Sequence, residues 1–131
     1  MIDKEQAMQP IVEACSSFQL VWAQHLEEHG DDLMYIAAGD FARHLLALFL
    51  DGRDDCFPDV GRAIELIHTD GSTWVREFAT IGILGSIQNV WANSGADPTS
   101  FVPYLGPESR RWWEGLNGFW SEQEPYVRPQ G

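Results

Sequence analysis

Two histidines four residues apart, with a glutamate between them, come closest to a reaction centre in this chain. His25-Leu26-Glu27-Glu28-His29 has the H-x-x-E-H order of inverted zinc peptidases. On a helix the two imidazoles share a face and could hold zinc, with Glu28 as general base. The pattern is short and stops at Gly30. Histidine also suits a helix C-terminus, where it meets the negative end of the helix dipole. A third ligand is required, and no distal glutamate stands in a context that supplies one. No metal or other cofactor is assigned on this basis.

His68 and Asp70 flank a helix junction at Thr69-Asp70-Gly71. A His-Asp pair could orient a base, but no nucleophile on a recognisable turn accompanies it, and Asp70 fits an N-cap. The chain has no G-x-S-x-G, phosphate-binding or dinucleotide glycine motif. Cys15 and Cys56 lack C-x-x-C spacing and read as reduced thiols. Acidic surroundings would raise a thiol pKa, against a nucleophilic role. No catalytic residue is assigned, and the chain is expected not to be an enzyme.

The remaining candidates are surfaces. Acids cluster at Glu27, Glu28, Asp31 and Asp32, and again at Asp54, Asp55 and Asp59, beside Asp51. If helices over 17–29 and 31–51 form an antiparallel hairpin, the clusters lie at opposite ends. Either could mimic phosphates for a basic protein, or simply be a solvated loop. In Arg110-Arg111-Trp112-Trp113 the two tryptophans cannot both face one core stripe, so one is expected outside. Trp113 is the binding anchor proposed from the sequence.

These residues must be carried by helices. Pro10 fits the first turn of a short helix through Ile11, Val12 and Ala14, and Ser16 or Ser17 fits the cap of the next, over Phe18, Leu20, Val21, Trp22 and Leu26. Asp31 or Asp32 is placed to cap a helix with apolar positions Leu33, Ile36, Ala37, Phe41, Leu45, Leu48 and Phe49. Pro58 opens another, buried through Val60, Ala63, Ile64 and Ile67. The long helix after Asp70 aligns Trp74, Phe78, Ile81, Leu84, Ile87 and Trp91 in one stripe. Gly82 and Gly85 on it suggest close packing of a neighbouring helix. Glu77, Gln88 and Asn89 are expected to bond orphan backbone groups of adjoining helices, though they could also line a pocket. Asp97-Pro98 starts a short turn and Pro107 a last helix through Trp120. No segment alternates as a strand does. The expected fold is all-α: a single irregular bundle or short helix-pair stack of five to seven helices over residues 1–122, with a frayed tail over 123–131.

The chain has 131 residues, enough for one domain that needs no disulfide or metal staple. Twenty acids against eight bases give a net charge of -12. Such a field repels nucleic acid and anionic membranes, and steers a basic partner in quickly. No apolar run is long enough to span a membrane, and the first ten residues lack a signal core, so the expected location is the cytoplasm.

From Phe57 to Asn89 the chain resembles a family of small bacterial helical proteins. The shared pattern is a helix ending in an LH-like pair, a DG-type junction, then an E-x-A-T-I-G-x-L-x-x-I-Q-N helix. Here it is Ile67-His68, Asp70-Gly71 and Glu77 to Asn89, with Phe78 inside the pattern. Ala79 to Asn89 is its most specific part, and the half before Phe57 matches more loosely through Phe18, Trp22 and the helix from Leu33. Where the pattern often has glutamate, this chain has Gly85, so no acidic role carries over. In size and acidity such proteins resemble the immunity proteins of bacterial toxin systems, which bind one cognate toxin domain and block it without catalysis. The resemblance implies a cognate toxin domain as partner; the acidic surface suits a basic nuclease, and a non-nuclease target is equally compatible. Two other readings stand beside it: a small-ligand or peptide-binding regulator with a pocket near Trp74, Glu77, Gln88 and Trp91, and a zinc hydrolase on His25, Glu28 and His29.

Overall fold

Burial organises the chain around one long rod. The computed structural model describes residues 1–30, 32–120, 127 and 129. Among these, seven α-helices form an all-α bundle with no strand: α1 (Gln9–Ala14), α2 (Gln19–His29), α3 (Met34–Leu50), α4 (Phe57–Asp70), α5 (Thr73–Glu77), α6 (Gly85–Asn93) and α7 (Pro107–Trp120). A π-helical segment, Phe78–Leu84, joins α5 to α6, with right-handed helical backbone at both junctions. The rod from Thr73 to Asn93 packs against α3 on one side and against α4 and α7 on another, while α1 lies on α4. No helix of the described residues is long and apolar enough to cross a membrane.

The π segment changes what the rod buries. Widening the turn inserts a residue into the hydrogen-bond ladder and rotates everything beyond it. The stripe predicted at three- and four-residue spacing therefore breaks. Phe78, Leu84, Ile87 and Trp91 are buried, but Ile81 is 40% exposed and Ile83 takes a core position instead. Trp91, fully buried, donates its indole N–H to the Ala42 carbonyl at 3.1 Å and stacks on Phe49. Phe57, Phe101 and Tyr104 extend this aromatic core, with Phe57 and Phe101 ring centres 5.2 Å apart. The α4 face of Val60, Ala63, Ile64 and Ile67 is buried as its spacing predicts.

Several caps differ from the sequence reading. Asp70 is the last residue of α4, and Ser72 caps α5, accepting from the Val75 N–H. Ile2 holds this junction in extended form: it donates to the Asp70 carbonyl and accepts from the Ser72 N–H, both at 2.8 Å. An aspartate whose backbone ends one helix cannot have the extended geometry that starts the next. Ser16 and Ser17 lie in a 3-10 turn, Ser16–Phe18, and neither caps α2. Asp32 does not cap α3; that position belongs to Leu33, which is in the left-handed region at φ 57°. Asp31 and the predicted frayed tail lie outside the described residues, apart from Val127 and Pro129.

Close backbone approach also occurs elsewhere than predicted. A Cβ on Gly85 would meet only the Thr80 carbonyl, at 3.6 Å, and one on Gly82 would meet the Phe78 and Tyr35 rings. Gly61 makes the tightest approach: a Cβ there would clash with the Tyr104 carbonyl oxygen. That clash couples α4 to the 3-10 segment Pro98–Tyr104, and a lone glycine inside a helix gives no sign of its distant neighbour.

Candidate functional site

A cleft of about 930 Å³ opens between the rod and α7. The rod supplies Arg76, Glu77, Thr80, Ser86 and Asn89; α7 supplies Trp112, Leu116, Phe119 and Trp120. Val127 lines it too. One wall is thus polar and the other aromatic, a combination typical of small-molecule sites, and the volume falls in their usual range. The π segment places Thr80, Ile81 and Gly85 on this wall. Arg76 donates through Nε to the Gly71 carbonyl at 2.8 Å, which fixes the direction of its guanidinium. Glu77 acts towards α3, where burial first and then its negative charge raise the Tyr35 pKa.

Behind the cleft wall runs a buried polar chain. Ser109 donates through Oγ to Glu65 at 2.8 Å and stands 3.0 Å from His68 Nδ1; His68 Nε2 stands 2.9 Å from Thr80 Oγ. A carboxylate only accepts, so the Ser109 proton points to Glu65 and Ser109 accepts from His68 Nδ1–H. That leaves Nε2 bare, and the Thr80 hydroxyl donates to it. Nδ1–H also lies 3.1 Å from the Ile64 carbonyl. Burial holds the His68 pKa down at about 4, against smaller opposing effects from the Ile64 carbonyl, Glu65 and Glu108. Burial pushes the Glu65 carboxyl up, but hydrogen bonds from Ser109 and the Glu108 N–H, with His68, outweigh it and hold the pKa below the usual range. Glu65 thereby caps the first turn of α7 from another helix. The chain locks α4, the π segment and α7 together. No step of this network is legible in the sequence: His68 reads there as a junction residue, and Glu65, Thr80 and Ser109 carry no spacing signal.

The structure sorts the other candidates. Gln88 donates to the Trp113 carbonyl at 3.3 Å, a bond to backbone of an adjoining helix, and its Oε1 has no partner among the described residues. Glu77 and Asn89 instead line the cleft. Trp91 and Gln88 are buried away from it, so the pocket predicted around them is displaced towards α7. Trp113 must be corrected: only 1% exposed, it fills the core and cannot anchor a partner. Trp112 and Trp120 are its surface counterparts, and Trp112 donates its indole N–H to Glu108 at 3.1 Å.

His25 is buried, stacked on Trp22, and stands 3.1 Å from the Asp32 carbonyl through Nε2. Its ring therefore ties α2 to the turn before α3. Among the described residues no three His, Cys, Asp or Glu side chains gather as a metal site would require. Cys15 and Cys56 are free thiols with sulfurs 3.4 Å apart. Burial first, and then the hydrogen bond to Cys15, push Cys56 up to about 12, so it is a poor nucleophile at neutral pH.

The two acidic clusters differ. Asp59 pairs with Arg62, and Asp54 accepts from the Tyr104 hydroxyl at 3.4 Å. Glu27, Glu28 and Asp32 are exposed around the turn that presents Leu33, 53% exposed, and Ile36, 48% exposed, one helical turn further on. Among the described residues no arginine or lysine pairs with them; Glu28 meets only Gln24 and His29. The turn thus joins acids that meet no arginine or lysine among the described residues to exposed apolar side chains.

Neither the curated proteins nor the solved structures offer a match to this chain. Residues 8–121, and with them the rod, the polar chain and the cleft walls up to Trp120, match one family throughout. The chain belongs to that family, the domain of unknown function DUF7674.

Proposed function

We propose that this protein is a non-catalytic binding protein that occludes a basic protein partner, in the manner of the immunity proteins of bacterial toxin systems. The observation that carries the reading is the turn between α2 and α3, where Glu27, Glu28 and Asp32, with no arginine or lysine partner among the described residues, lie close in sequence to exposed Leu33 and Ile36. Apolar anchors with a charged rim fit a protein interface better than a substrate site. A left-handed leucine costs about 1–2 kcal/mol relative to ordinary backbone, and such strain concentrates at functional turns. The net charge of -12 would steer a basic domain towards this surface. Asp54, Asp55 and Asp59 form the second candidate surface, weakened by the Arg62 and Tyr104 contacts.

The test is association with a purified basic toxin domain encoded beside this protein, followed by stopped-flow fluorescence. Glu28→Lys with Asp32→Lys should slow association about tenfold or more at low salt, and the difference should shrink as salt is added. An unchanged rate in that double variant, with a loss on reversing Asp54 and Asp55, would move the interface to the other cluster. No effect from either pair would refute the electrostatic mode altogether.

A further inference from the structure

We propose that the cleft between the π segment and α7 binds a small organic monoanion with an apolar body, its carboxylate on Arg76 and its body against Trp112, Phe119 and Trp120. This site is separate from the α2–α3 turn and does not depend on the partner reading.

The charge pattern points to an anion. With 20 acids to 8 bases, a cation on this surface is easily matched. Arg43, Arg53, Arg62 and Arg111 each have a carboxylate partner. Arg76 has none among the described residues; Lys4, over Trp74, and Arg110, bonded to the Pro103 carbonyl, also lack one, but neither lines the cleft. The Arg76 Nε is held by the Gly71 carbonyl, and its terminal nitrogens remain for a ligand. Glu77 lines the same cleft, but as the next residue on the helix it does not face Arg76, and no ion pair joins the two among the described residues. A guanidinium fixed at Nε presents a planar pair of donors that matches a carboxylate.

The number of charges limits the ligand. One guanidinium in a strongly acidic molecule suits a single negative charge, not a polyphosphate. The opposite wall is aromatic, half-buried at Trp112 and Phe119 and exposed at Trp120. An aromatic or branched hydrocarbon body would cover that surface, while Ser86 and Asn89 offer neutral hydrogen bonds. Gly85 matters for the same reason. It places neither volume nor charge on the wall, and a Cβ there would meet only ordinary contact with the Thr80 carbonyl. A glutamate at that position would put a negative charge on the wall where the anion sits.

The experiment is a fluorescence titration of the full chain with anilinonaphthalene sulfonate, an aromatic monoanion. Saturable one-to-one binding is expected, displaced by phenylbutyrate and not by its uncharged amide. A short peptide ending in phenylalanine distinguishes a free carboxylate ligand from a chain terminus: displacement at lower concentration than phenylbutyrate assigns the latter source. Arg76→Gln should weaken binding about tenfold, Arg76→Lys should restore part of it, and Gly85→Glu should abolish it. Circular dichroism checks that Gly85→Glu is folded; if it is not, Ser86→Glu replaces it. Absence of saturable binding, equal displacement by acid and amide, or parent-like affinity in Arg76→Gln and the glutamate variant would each overturn the proposal.

Discussion

The rod and α2 read alike in sequence and differ in the fold. Both carry apolar residues at helical spacing, and both carry histidine nearby. The rod buries Val75, Phe78, Ala79, Ile83, Leu84, Ile87 and Trp91 and is gripped by α3, α4 and α7. Within α2 only His25 is buried, while Leu20 is 84% exposed and Val21 and Leu26 are more than a third exposed. Apolar content therefore does not decide which helix builds the core. What decides is the set of neighbours that close over it: α2 meets α1, the Ser16–Phe18 turn and α3 only lightly. Burial is concentrated in the rod, whereas α2 and the turn that follows keep Leu20, Val21, Leu26, Leu33 and Ile36 exposed.

Deleting one large side chain from each region should separate the two helices most clearly. Trp91→Ala removes a fully buried indole and the bond to the Ala42 carbonyl, and should cost about 3–5 kcal/mol. Leu20→Ala removes a leucine already in solvent, and should change stability by less than about 0.5 kcal/mol. Urea unfolding of both variants measures the difference. Comparable losses would mean that α2 belongs to the core after all.

A pH titration examines how the rod is fastened. In the unfolded chain His68 takes a proton near pH 6.5; in the fold it does so only at about 4. Its contribution is therefore complete above pH 6.5 and is lost as the pH falls towards 4. Across that window the parent should lose about 3 kcal/mol from this residue, since each tenfold difference in proton affinity between the folded and unfolded chain is worth about 1.4 kcal/mol. Glu65, with its pKa held low, adds a loss of the same sign at the acid end, as its carboxylate protonates. His68→Leu should be less stable than the parent at neutral pH, because Thr80 and Ser109 lose their partner, and its stability should fall less between pH 7 and 5. Parallel pH profiles for the two proteins would separate His68 from the acid sensitivity.

Both tests bear on how much the sequence discloses. The buried face of α4 is legible because Val60, Ala63, Ile64 and Ile67 repeat at helical spacing, and the all-α class follows from the absence of alternation. The π segment is not legible: a widened turn is set by the ladder around Thr80 and Gly85, and its sequence is apolar either way. Ile81 and Ile83 exchange roles for that reason. The polar chain joins Glu65, His68, Thr80 and Ser109 from three elements, so no local spacing announces it. Trp113 and Trp112 pose a simpler limit: one of them has to leave the core, but choosing which requires the rotation of α7 about its axis. The cleft walls are half visible, since Glu77 and Asn89 stand out as polar oddities on an apolar helix, whereas Arg76 gives no hint that it faces aromatic residues of α7.

A smaller effect than those of Trp91 and His68 is expected at Leu33, and it bears directly on function. A leucine in the left-handed region carries strain of about 1–2 kcal/mol that glycine does not, while glycine costs about 0.5–1 kcal/mol in chain entropy. Leu33→Gly should therefore leave stability unchanged or raise it by up to about 1 kcal/mol, because the side chain is 53% exposed and little packing is lost. The same change removes an apolar anchor from the acidic turn, so affinity for a basic partner should fall while the urea midpoint holds or rises. A leucine kept only for packing would give the reverse: a lower midpoint and unaltered affinity. Stability and binding moving in opposite directions would place Leu33 among residues retained for what they touch outside the molecule, in contrast to Trp91, whose every contact lies within it.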